Sequence, residues 1–366
     1  MAKTFAGVED LLMDEIKALG GKKATKGIRA VEFEGDHRCL YRVLYESRLA
    51  TTVLRSLWRF TADDEHEAYR KAYACDWSRY FSVDQTFAIS STVSSDIFTH
   101  SQYISLKMKD AICDRFRKTF DRRPSVDTKS PDVRLNLHVQ KNSFHISLDA
   151  AGDPLFKRGY RREGHRAPLN EILGSAMVQL SGWQPEQPFF DGMCGTGTIP
   201  IEAAMLACSL PSQYLRREFT VMNWPTFERS AWDKVKKEAD DKIDIRPLHI
   251  LGTDQSRNSV FTAFRSARML DLSEAVDFQR VDFFRLKGKP ESVLIMNPPY
   301  GERMGDEIEE LYEKIGDRLK AEWTGSSAWL LTSNMDALKS VGLRTSKRIK
   351  LYNGPLECRF VKYEMY

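Results

Sequence analysis

An amide and a phenol follow a short apolar run in the last quarter of the chain. The four apolar residues Val293–Met296 predict a fully buried strand of a parallel sheet. Such sheets carry their sites at the carboxyl ends of the strands, and there the sequence reads Asn297-Pro298-Pro299-Tyr300. Neither proline can donate an N–H, so both stop the strand and hold the backbone. The turn therefore presents Asn297 and Tyr300 rigidly, which suits a grip on a planar nitrogen base.

This tetrapeptide resembles a motif of the amino-methyltransferases, written [DNS]-P-P-[YFW]. Members of that group move a methyl group from S-adenosylmethionine to an exocyclic or amide nitrogen. The resemblance implies that Asn297, Pro298 and Tyr300 are catalytic and that S-adenosylmethionine is the cofactor. The tetrapeptide alone leaves guanine, adenine, cytosine and glutamine open as acceptors, in RNA or DNA.

A glycine-rich turn precedes it in the chain. The segment 188–198 reads as a strand, a turn and the start of a helix, with Pro200 in the first helical turn. Its glycines follow the order G-x-x-G-x-G with Asp191 directly before them, whereas a dinucleotide fingerprint is G-x-G-x-x-G. A pyrophosphate needs the helix N-terminus, but S-adenosylmethionine needs backbone close to its methionine part and polar groups for its ammonium. We predict cofactor contacts at Asp191, Gly192, Gly195, Thr196 and Gly197.

Two more acidic residues end predicted strands. Asp254 follows an apolar run and is placed to accept hydrogen bonds from ribose hydroxyls, and Asp282 is placed to accept from the adenine amino group beside the aromatic face of Phe283. Each acid alone is more often a cap or turn residue. Four strand-terminal polar residues in chain order are hard to obtain by chance, which predicts one cofactor pocket built by Asp191, Asp254, Asp282 and Asn297. In the enzymes that the chain resembles, the segment 167–171 closes one side of this pocket, which adds Leu169.

The bulk composition bounds the remaining possibilities. A chain of 366 residues exceeds what one core usually serves, so two or three domains are expected. The formal net charge is only +4, so the protein as a whole is not basic enough to indicate a nucleic-acid partner. The six cysteines are scattered without a C-x-x-C pair, so we expect free thiols and no metal site. The N-terminus lacks a signal-peptide pattern and no apolar stretch is long enough for a bilayer. We therefore expect a cytoplasmic protein.

The N-terminal half contains a basic helix between a strand and a hairpin. The first sixty residues read as a small α+β unit, and a strand, a long helix and a hairpin follow up to residue 149. The helix carries Lys107 and Arg115 outside its apolar face; a solvated face and an RNA phosphate contact are both open. Strand, helix and hairpin together resemble a THUMP domain, an RNA-binding module of RNA-modifying enzymes. This context favours RNA binding by Lys107 and Arg115.

Two connecting segments have open roles. The linker Leu155–Arg162 interleaves basic and aromatic residues, which suits phosphate contact and stacking on single-stranded RNA. We predict RNA contacts at Arg158, Arg161 and Arg162, with tethering between domains as the alternative. The insert 209–247 separates the glycine turn from Asp254 and is either a surface excursion or a substrate-facing lid.

The whole chain resembles the RlmL/YpsC family of guanine-N2 methyltransferases of 23S ribosomal RNA. The resemblance is carried by Arg158–Arg161, by Asp191–Thr198 with Ile201–Ala204, by Asn297–Arg303, and by Asn353-Gly354 with Cys358. It implies an α/β protein with a ferredoxin-like α+β unit at 1–60, a THUMP domain at 61–154 and a Rossmann-like class I methyltransferase domain at 155–366. The last domain is expected to hold a seven-stranded sheet with an antiparallel last strand, and we expect one catalytic domain only. The family usually has proline at position 192, where this chain has glycine.

Three rival functions stay open at this point. The same domain pair resembles tRNA guanine-N2 methyltransferases, and no single residue separates them from enzymes of ribosomal RNA. An adenine-N6 DNA methyltransferase shares the tetrapeptide, although the THUMP-like region argues against it. A non-catalytic RNA-binding or ribosome-assembly factor is disfavoured by the intact Asp191, Asp254, Asn297 and Tyr300. A dehydrogenase is disfavoured by the glycine order. The partner is therefore RNA, and the oligomeric state is undetermined.

Overall fold

The computed structural model describes residues 1–161, 169–299 and 305–366. Within them the chain forms two seven-stranded sheets. No helix in this described part combines the length and the apolar character that a bilayer span requires.

The first sheet and its helices occupy residues 2–149. Its strands are β1 (Ala2–Lys3), β2 (Lys22–Lys26), β3 (Ala30–Glu34), β4 (Thr52–Thr61), β5 (Phe87–Ser94), β6 (Val133–Gln140) and β7 (Ser143–Asp149). Its helices are α1 (Glu9–Ala18), α2 (His37–Glu46), α3 (Glu65–Ala74) and α4 (Ser101–Phe120). Asp36 caps α2, because its side chain accepts a hydrogen bond from the Cys39 N–H at 2.8 Å.

Strand β4 joins the N-terminal unit to the unit that follows it. The strand order is β2-β3-β1-β4-β7-β6-β5, and β4 pairs with β1 at Thr52 and Val53 and with β7 from Leu54 to Thr61. The two units predicted from sequence therefore share one continuous sheet. The predicted boundary after residue 60 falls at the end of the strand that both units use.

The second sheet holds the C-terminal part of the chain. Its strands are β8 (Phe189–Asp191), β9 (Ile250–Thr253), β10 (Asp277–Gln279), β11 (Val293–Met296), β12 (Ser327–Thr332), β13 (Lys347–Asn353) and β14 (Leu356–Glu364). The helices are α5 (Glu171–Ser181), α6 (Thr198–Ala207), α7 (Arg229–Asp240), α8 (Arg257–Met269), α9 (Gly305–Glu322) and α10 (Met335–Ser340).

The order of this sheet is β10-β9-β8-β11-β12-β14-β13. Strands β8 to β12 run parallel, and β14 is antiparallel to both β12 and β13. The predicted seven-stranded sheet with an antiparallel last strand is confirmed. Strands β8 to β10 extend the sheet to one side, and the strands from β11 onward extend it to the other, so the strand order switches between the neighbours β8 and β11. Ligands of such sheets bind at this switch point, outside the carboxyl ends of the strands.

Both faces of the second sheet are covered, which is why β11 is apolar throughout. All four residues of β11 are buried. Val293 and Ile295 join the large hydrophobic cluster that continues into the N-terminal half, while Leu294 and Met296 join a second cluster on the opposite face. Alternate side chains of a strand point to opposite faces, so a strand covered on both sides has no position for a polar residue. The first polar residue, Asn297, comes directly after the strand ends.

The insert 209–247 packs against the N-terminal unit. Its helix α7 lies on α2, and the Trp232 ring contacts the rings of Tyr41 and Tyr45 with centroids 5.6 and 6.1 Å apart. Trp232 is only 4% exposed. Aromatic rings dominate the energetics of such contacts because they bury a large apolar area.

Ion pairs extend this contact at its edge. Glu238 of α7 accepts from Arg38 at 2.7 Å and from Arg42 at 3.1 Å, both on α2. The insert is thus a tie between the two halves of the chain. Neither of the two roles predicted for it from sequence, the surface excursion or the substrate-facing lid, describes this arrangement.

Candidate active site

The turn after β11 contains a buried acceptor to which none of the described residues donates. Asn297 is half-buried and Pro298 is buried, while Pro299 is exposed. Among the described residues, nothing donates a hydrogen bond to Asn297 Oδ1, although that atom is inaccessible to solvent. Buried polar atoms are almost always hydrogen-bonded, because leaving one unpaired costs about 1–3 kcal/mol. An N–H donor from a ligand would satisfy this oxygen.

The glycine turn after β8 brings a second polar group to the same edge. Asp191 ends β8, is 1% exposed, and accepts from the Met193 N–H at 3.1 Å. Burial, reinforced by the nearby Asp254 carboxylate, raises the pKa of Asp191 well above its usual range. A buried carboxylate in this position gains most from a cationic ligand, which would offset its desolvation.

Gly197 permits the close approach of the turn to α8. Its φ is +83°, and a Cβ at this position would lie 2.7 Å from Ala263 Cβ. A larger residue would therefore meet both backbone strain and a packing clash. The tight turn is required before α6 can begin at Thr198.

Asp254 joins the glycine turn to the start of α8. Its Oδ2 accepts from the Gly195 N–H at 3.0 Å, and its Oδ1 accepts from the Ser256 N–H at 2.8 Å. Asp254 lies directly after β9, so it brings the carboxyl ends of β8 and β9 together. Its side chain is half-buried at the edge of the sheet, where the sequence places the ribose contact.

Asp282 and Phe283 are neighbours in sequence, but the first lies at a turn and the second is buried in the core. Asp282 caps a short 3-10 turn by accepting from the Phe284 N–H at 3.0 Å. Phe283 is only 2% exposed and stacks on Trp323, with ring centroids 6.4 Å apart. The structure corrects the prediction for Phe283: its ring is a core group with almost no surface left for an adenine face. Proximity to an acid in sequence does not reveal that the next side chain points into the second hydrophobic cluster.

Arg161 lies at the start of two helices beside the cofactor turn. Its Nη1 pairs with Glu171 Oε1 at 3.1 Å, and its Nη2 donates to the Leu169 carbonyl at 2.6 Å and to Thr198 Oγ1. Glu171 and Thr198 are the first residues of α5 and α6. Leu169 is 7% exposed, next to this contact. The guanidinium faces the cofactor half of the protein with both Nη atoms engaged, and the RNA contact of Arg161 stays a prediction.

Arg158 is a buried connector. It is 1% exposed, and its guanidinium donates to the carbonyls of Leu155 at 2.9 Å and Arg48 at 2.6 Å. Its Nε also lies 3.4 Å from Glu202 Oε1, which accepts from the Tyr160 hydroxyl at 3.2 Å. The predicted RNA contact at Arg158 is therefore wrong, since no phosphate can reach a group enclosed in this way. The alternative from sequence, a tether between domains, describes Arg158.

The other predicted RNA contacts have different placements. Lys107 and Arg115 are half-exposed on α4, and Lys107 Nζ lies over the Tyr103 ring at 5.6 Å. Their surface position is compatible with a phosphate contact. Arg162 and the catalytic candidate Tyr300 lie outside the described residues.

Sequence reasoning missed the acidic partners of the linker. Glu171 and Glu202 are 4% and 0% exposed, and they hold Arg161 and Arg158. A signal for Glu202 was present, because it is the single charged residue of the apolar helix α6. A lone charge in an apolar helix indicates a buried partner, but it does not say which residue that partner is.

Comparison with known proteins identifies three regions. Residues 158–362 match the RMKL-like methyltransferase domain, UPF0020. Residues 62–149 match the THUMP domain, and residues 1–54 match the RlmL ferredoxin-like domain.

Similar whole proteins agree with these matches. A ribosomal RNA large subunit methyltransferase K/L of Syntrophotalea carbinolica is 35% identical over 98% of this chain, which spans only 52% of that relative's length. A putative RNA methyltransferase of Synechocystis is 35% identical to this chain, and the match covers 100% of this chain and 96% of that relative. Among solved structures, the putative methyltransferase SMU.472, complexed with SAH, superposes with a TM-score of 0.90 at 28% identity, covering 100% of this chain and 97% of that one.

Proposed function

The chain belongs to the UPF0020 family of RMKL-like methyltransferases, and from that premise we propose that it transfers a methyl group from S-adenosylmethionine to the exocyclic N2 of a guanine in 23S ribosomal RNA. The relatives named as RNA methyltransferases and the solved relative that holds SAH support the substrate and cofactor classes. Since the chain spans about half of the relative from S. carbinolica, at 52%, the activity of that whole protein is part of the proposal.

The observation that carries the chemistry is the buried oxygen of Asn297, which has no donor among the residues that the structure describes. An exocyclic guanine amine offers two N–H donors but is a poor nucleophile, because its lone pair is delocalised into the ring. Asn297 Oδ1 and the Pro298 carbonyl would accept those two N–H bonds and draw the nitrogen toward a pyramidal form. Tyr300 would stack on the base, which must leave its RNA stack at a cost of about a few kcal/mol.

The chain contributes orientation more than base strength. The two prolines hold the acceptors in fixed positions, and fixed positions convert a bimolecular encounter into a near-unimolecular step. S-adenosylmethionine supplies the electrophilic methyl group.

The carboxylates at the sheet edge fit that cofactor. Asp191 is buried without a cationic partner among the described residues, which suits an ammonium group. Asp254 and Asp282 follow β9 and β10, where ribose hydroxyls and an adenine amino group would need acceptors. The turn residues Gly192, Gly195, Thr196 and Gly197, together with Leu169, keep their proposed contacts with the cofactor.

RNA binding is assigned to the N-terminal half. The match to a THUMP domain supports it, and Lys107 and Arg115 are the described residues proposed to contact phosphates. We retain three functional units at 1–60, 61–154 and 155–366, with the first two sharing one sheet.

The proposal is tested by tritiated methyl transfer into RNA from cells that lack this protein. We expect label in 23S ribosomal RNA and, after digestion to nucleosides, in N2-methylguanosine. Label in tRNA would replace the substrate with the tRNA alternative. In a parallel reaction on DNA from the same cells, label in N6-methyl-2′-deoxyadenosine would favour the adenine-N6 alternative. No label in either reaction, together with no cofactor binding, would favour a non-catalytic RNA-binding factor.

A further inference from the structure

The Arg161 guanidinium contains a buried N–H for which the described residues offer no acceptor. Arg161 Nε is inaccessible to solvent, and no described residue accepts a hydrogen bond from it. The two Nη atoms are engaged with Glu171, Leu169 and Thr198. A guanidinium has five N–H donors in one plane, and it favours a second planar acceptor. This side chain is therefore incompletely bonded on the side of Nε.

The position of Arg161 relates it to the cofactor turn. It donates to the side chain of Thr198, the residue directly after Gly197. It also donates to the Leu169 carbonyl, on the segment proposed to close the pocket. Arg161 contacts Glu171 and Thr198, the first residues of α5 and α6. The N-terminus of a helix carries a partial positive charge and favours anions. A cation and two helix N-termini thus converge beside the glycine turn.

The opposite charge lies at the start of that same turn. Asp191 precedes Gly192, is 1% exposed, and contacts no basic side chain among the described residues. The amino acid part of the cofactor carries one ammonium and one carboxylate. Asp191 provides the charge for the ammonium, and the carboxylate needs a cation on the far side of the turn.

We propose that Arg161 binds the carboxylate of the methionine part of S-adenosylmethionine, with Nε–H as a donor to that carboxylate. The inference rests on the proposed function, because it concerns the same cofactor. It moves Arg161 from the RNA contacts to the cofactor contacts. Charge-assisted bonds between a guanidinium and a carboxylate are among the strongest hydrogen bonds in proteins.

Arg158 provides the internal contrast. It lies three positions earlier in the same basic linker, but the carbonyls of Leu155 and Arg48 and the Glu202 carboxylate surround its guanidinium. Its side chain has no exposed surface. Arg161 keeps 21% of its side chain exposed and has a donor, Nε–H, that no residue in the described part of the chain uses. The structure therefore separates two arginines that the sequence presents as equivalent.

The test compares two ligands that differ by one carboxylate. Calorimetric titration of the whole protein measures the dissociation constants of S-adenosylmethionine and of decarboxylated S-adenosylmethionine. We expect the unaltered protein to bind the decarboxylated ligand about 10- to 100-fold more weakly, the usual effect of losing a hydrogen bond to a charged group. In Arg161→Gln this preference should fall to within about threefold, with most of the loss in affinity for the carboxylate-containing ligand.

Matched variants separate binding from folding. Glu171→Gln removes the ion-pair partner and keeps Arg161, so the preference for the carboxylate should persist; Arg161→Lys keeps the charge and should restore part of it. If Arg161→Gln weakened both ligands equally, Arg161 would be a structural residue and the inference would be overturned. Equal affinity of the unaltered protein for both ligands would also overturn it. Failure of the unaltered protein to bind S-adenosylmethionine at all would instead overturn the proposed function.

Discussion

Gly192 lies against the ring of Phe283, and a Cβ at position 192 would stand 2.4 Å from Phe283 Cδ2. The same Cβ would lie 3.0 Å from Met296 Sδ. Real side chains do not approach so closely, so the ring must move before any side chain fits. The glycine at this position is thereby linked to a core aromatic residue that follows β10.

The first prediction concerns this contact. We expect Gly192→Ala to lower the free energy of unfolding by about 1–3 kcal/mol, the usual cost of overpacking a core. In a Phe283→Val background, which lacks the Cδ atoms, the same change should cost less. Urea denaturation of the four proteins gives the coupling energy. Strictly additive effects would show that the ring is not what excludes a side chain at 192.

Asn297 should matter for transfer and little for cofactor affinity. We expect Asn297→Ala to abolish methyl transfer, because the substrate amine loses its acceptor, while the dissociation constant for S-adenosylmethionine changes only a few-fold. The matched variant Asn297→Asp keeps an acceptor oxygen and should retain measurable transfer. Filter-binding assays with tritiated cofactor measure the rate, and calorimetry measures the affinity. Undiminished turnover of Asn297→Ala on ribosomal RNA would sink the assignment.

We expect the buried carboxyl group of Asp191 to lower the free energy of unfolding at neutral pH, although the same group is proposed to bind the cofactor. Burial raises the pKa of Asp191 above its unfolded value of 3.8, so the folded state holds this proton more tightly. Its contribution to stability is full below that unfolded value and is lost as the pH rises through the folded pKa.

The matching variant is Asp191→Asn, whose Oδ1 can still accept from the Met193 N–H. We expect it to be more stable than the unaltered protein at pH 8 by about 1–3 kcal/mol, with a smaller difference near pH 4. Its affinity for S-adenosylmethionine should fall at least about tenfold. Thermal unfolding across pH checks the first effect and calorimetry the second. A stability difference that is independent of pH would contradict the assigned cause.

The Arg158–Glu202 pair should be essential for stability. Both side chains have no exposed surface. We expect Glu202→Ala to cost about 3–5 kcal/mol, because Arg158 is then left as a buried charge without its carboxylate. The control is Lys339→Ala, which breaks the exposed ion pair with Asp336 and should leave the denaturation midpoint unchanged. Equal midpoints for both variants would show that the linker contact is dispensable.

Local patterns were sufficient for most of the fold. Helix α1 buries Leu12 and Ile16 at a spacing of four residues, and the apolar run predicted as a strand before Asn297 is β11. Spacing of apolar residues reports which face is covered, and Pro, Gly and Asp caps mark the ends, so these elements follow from residues close in sequence. The same locality explains why Asp191, Asp254 and Asn297 could be named as candidates from the sequence. Asp191 is the last residue of β8, and Asp254 and Asn297 come directly after β9 and β11.

The burial and the partners of individual side chains beyond the strand ends could be learned only from the tertiary structure. The sequence by itself determined the seven-stranded sheet with its antiparallel last strand, a glycine turn and the polar residues at the ends of its strands. It could not separate Arg158 from Arg161 or place Phe283. Arg158 reaches the carbonyl of Arg48, 110 positions away, and Glu202, 44 positions away. A guanidinium has the same charge whether it meets water, a buried carboxylate or a ligand. Its environment depends on chain segments far apart in sequence, and only the folded chain brings them together.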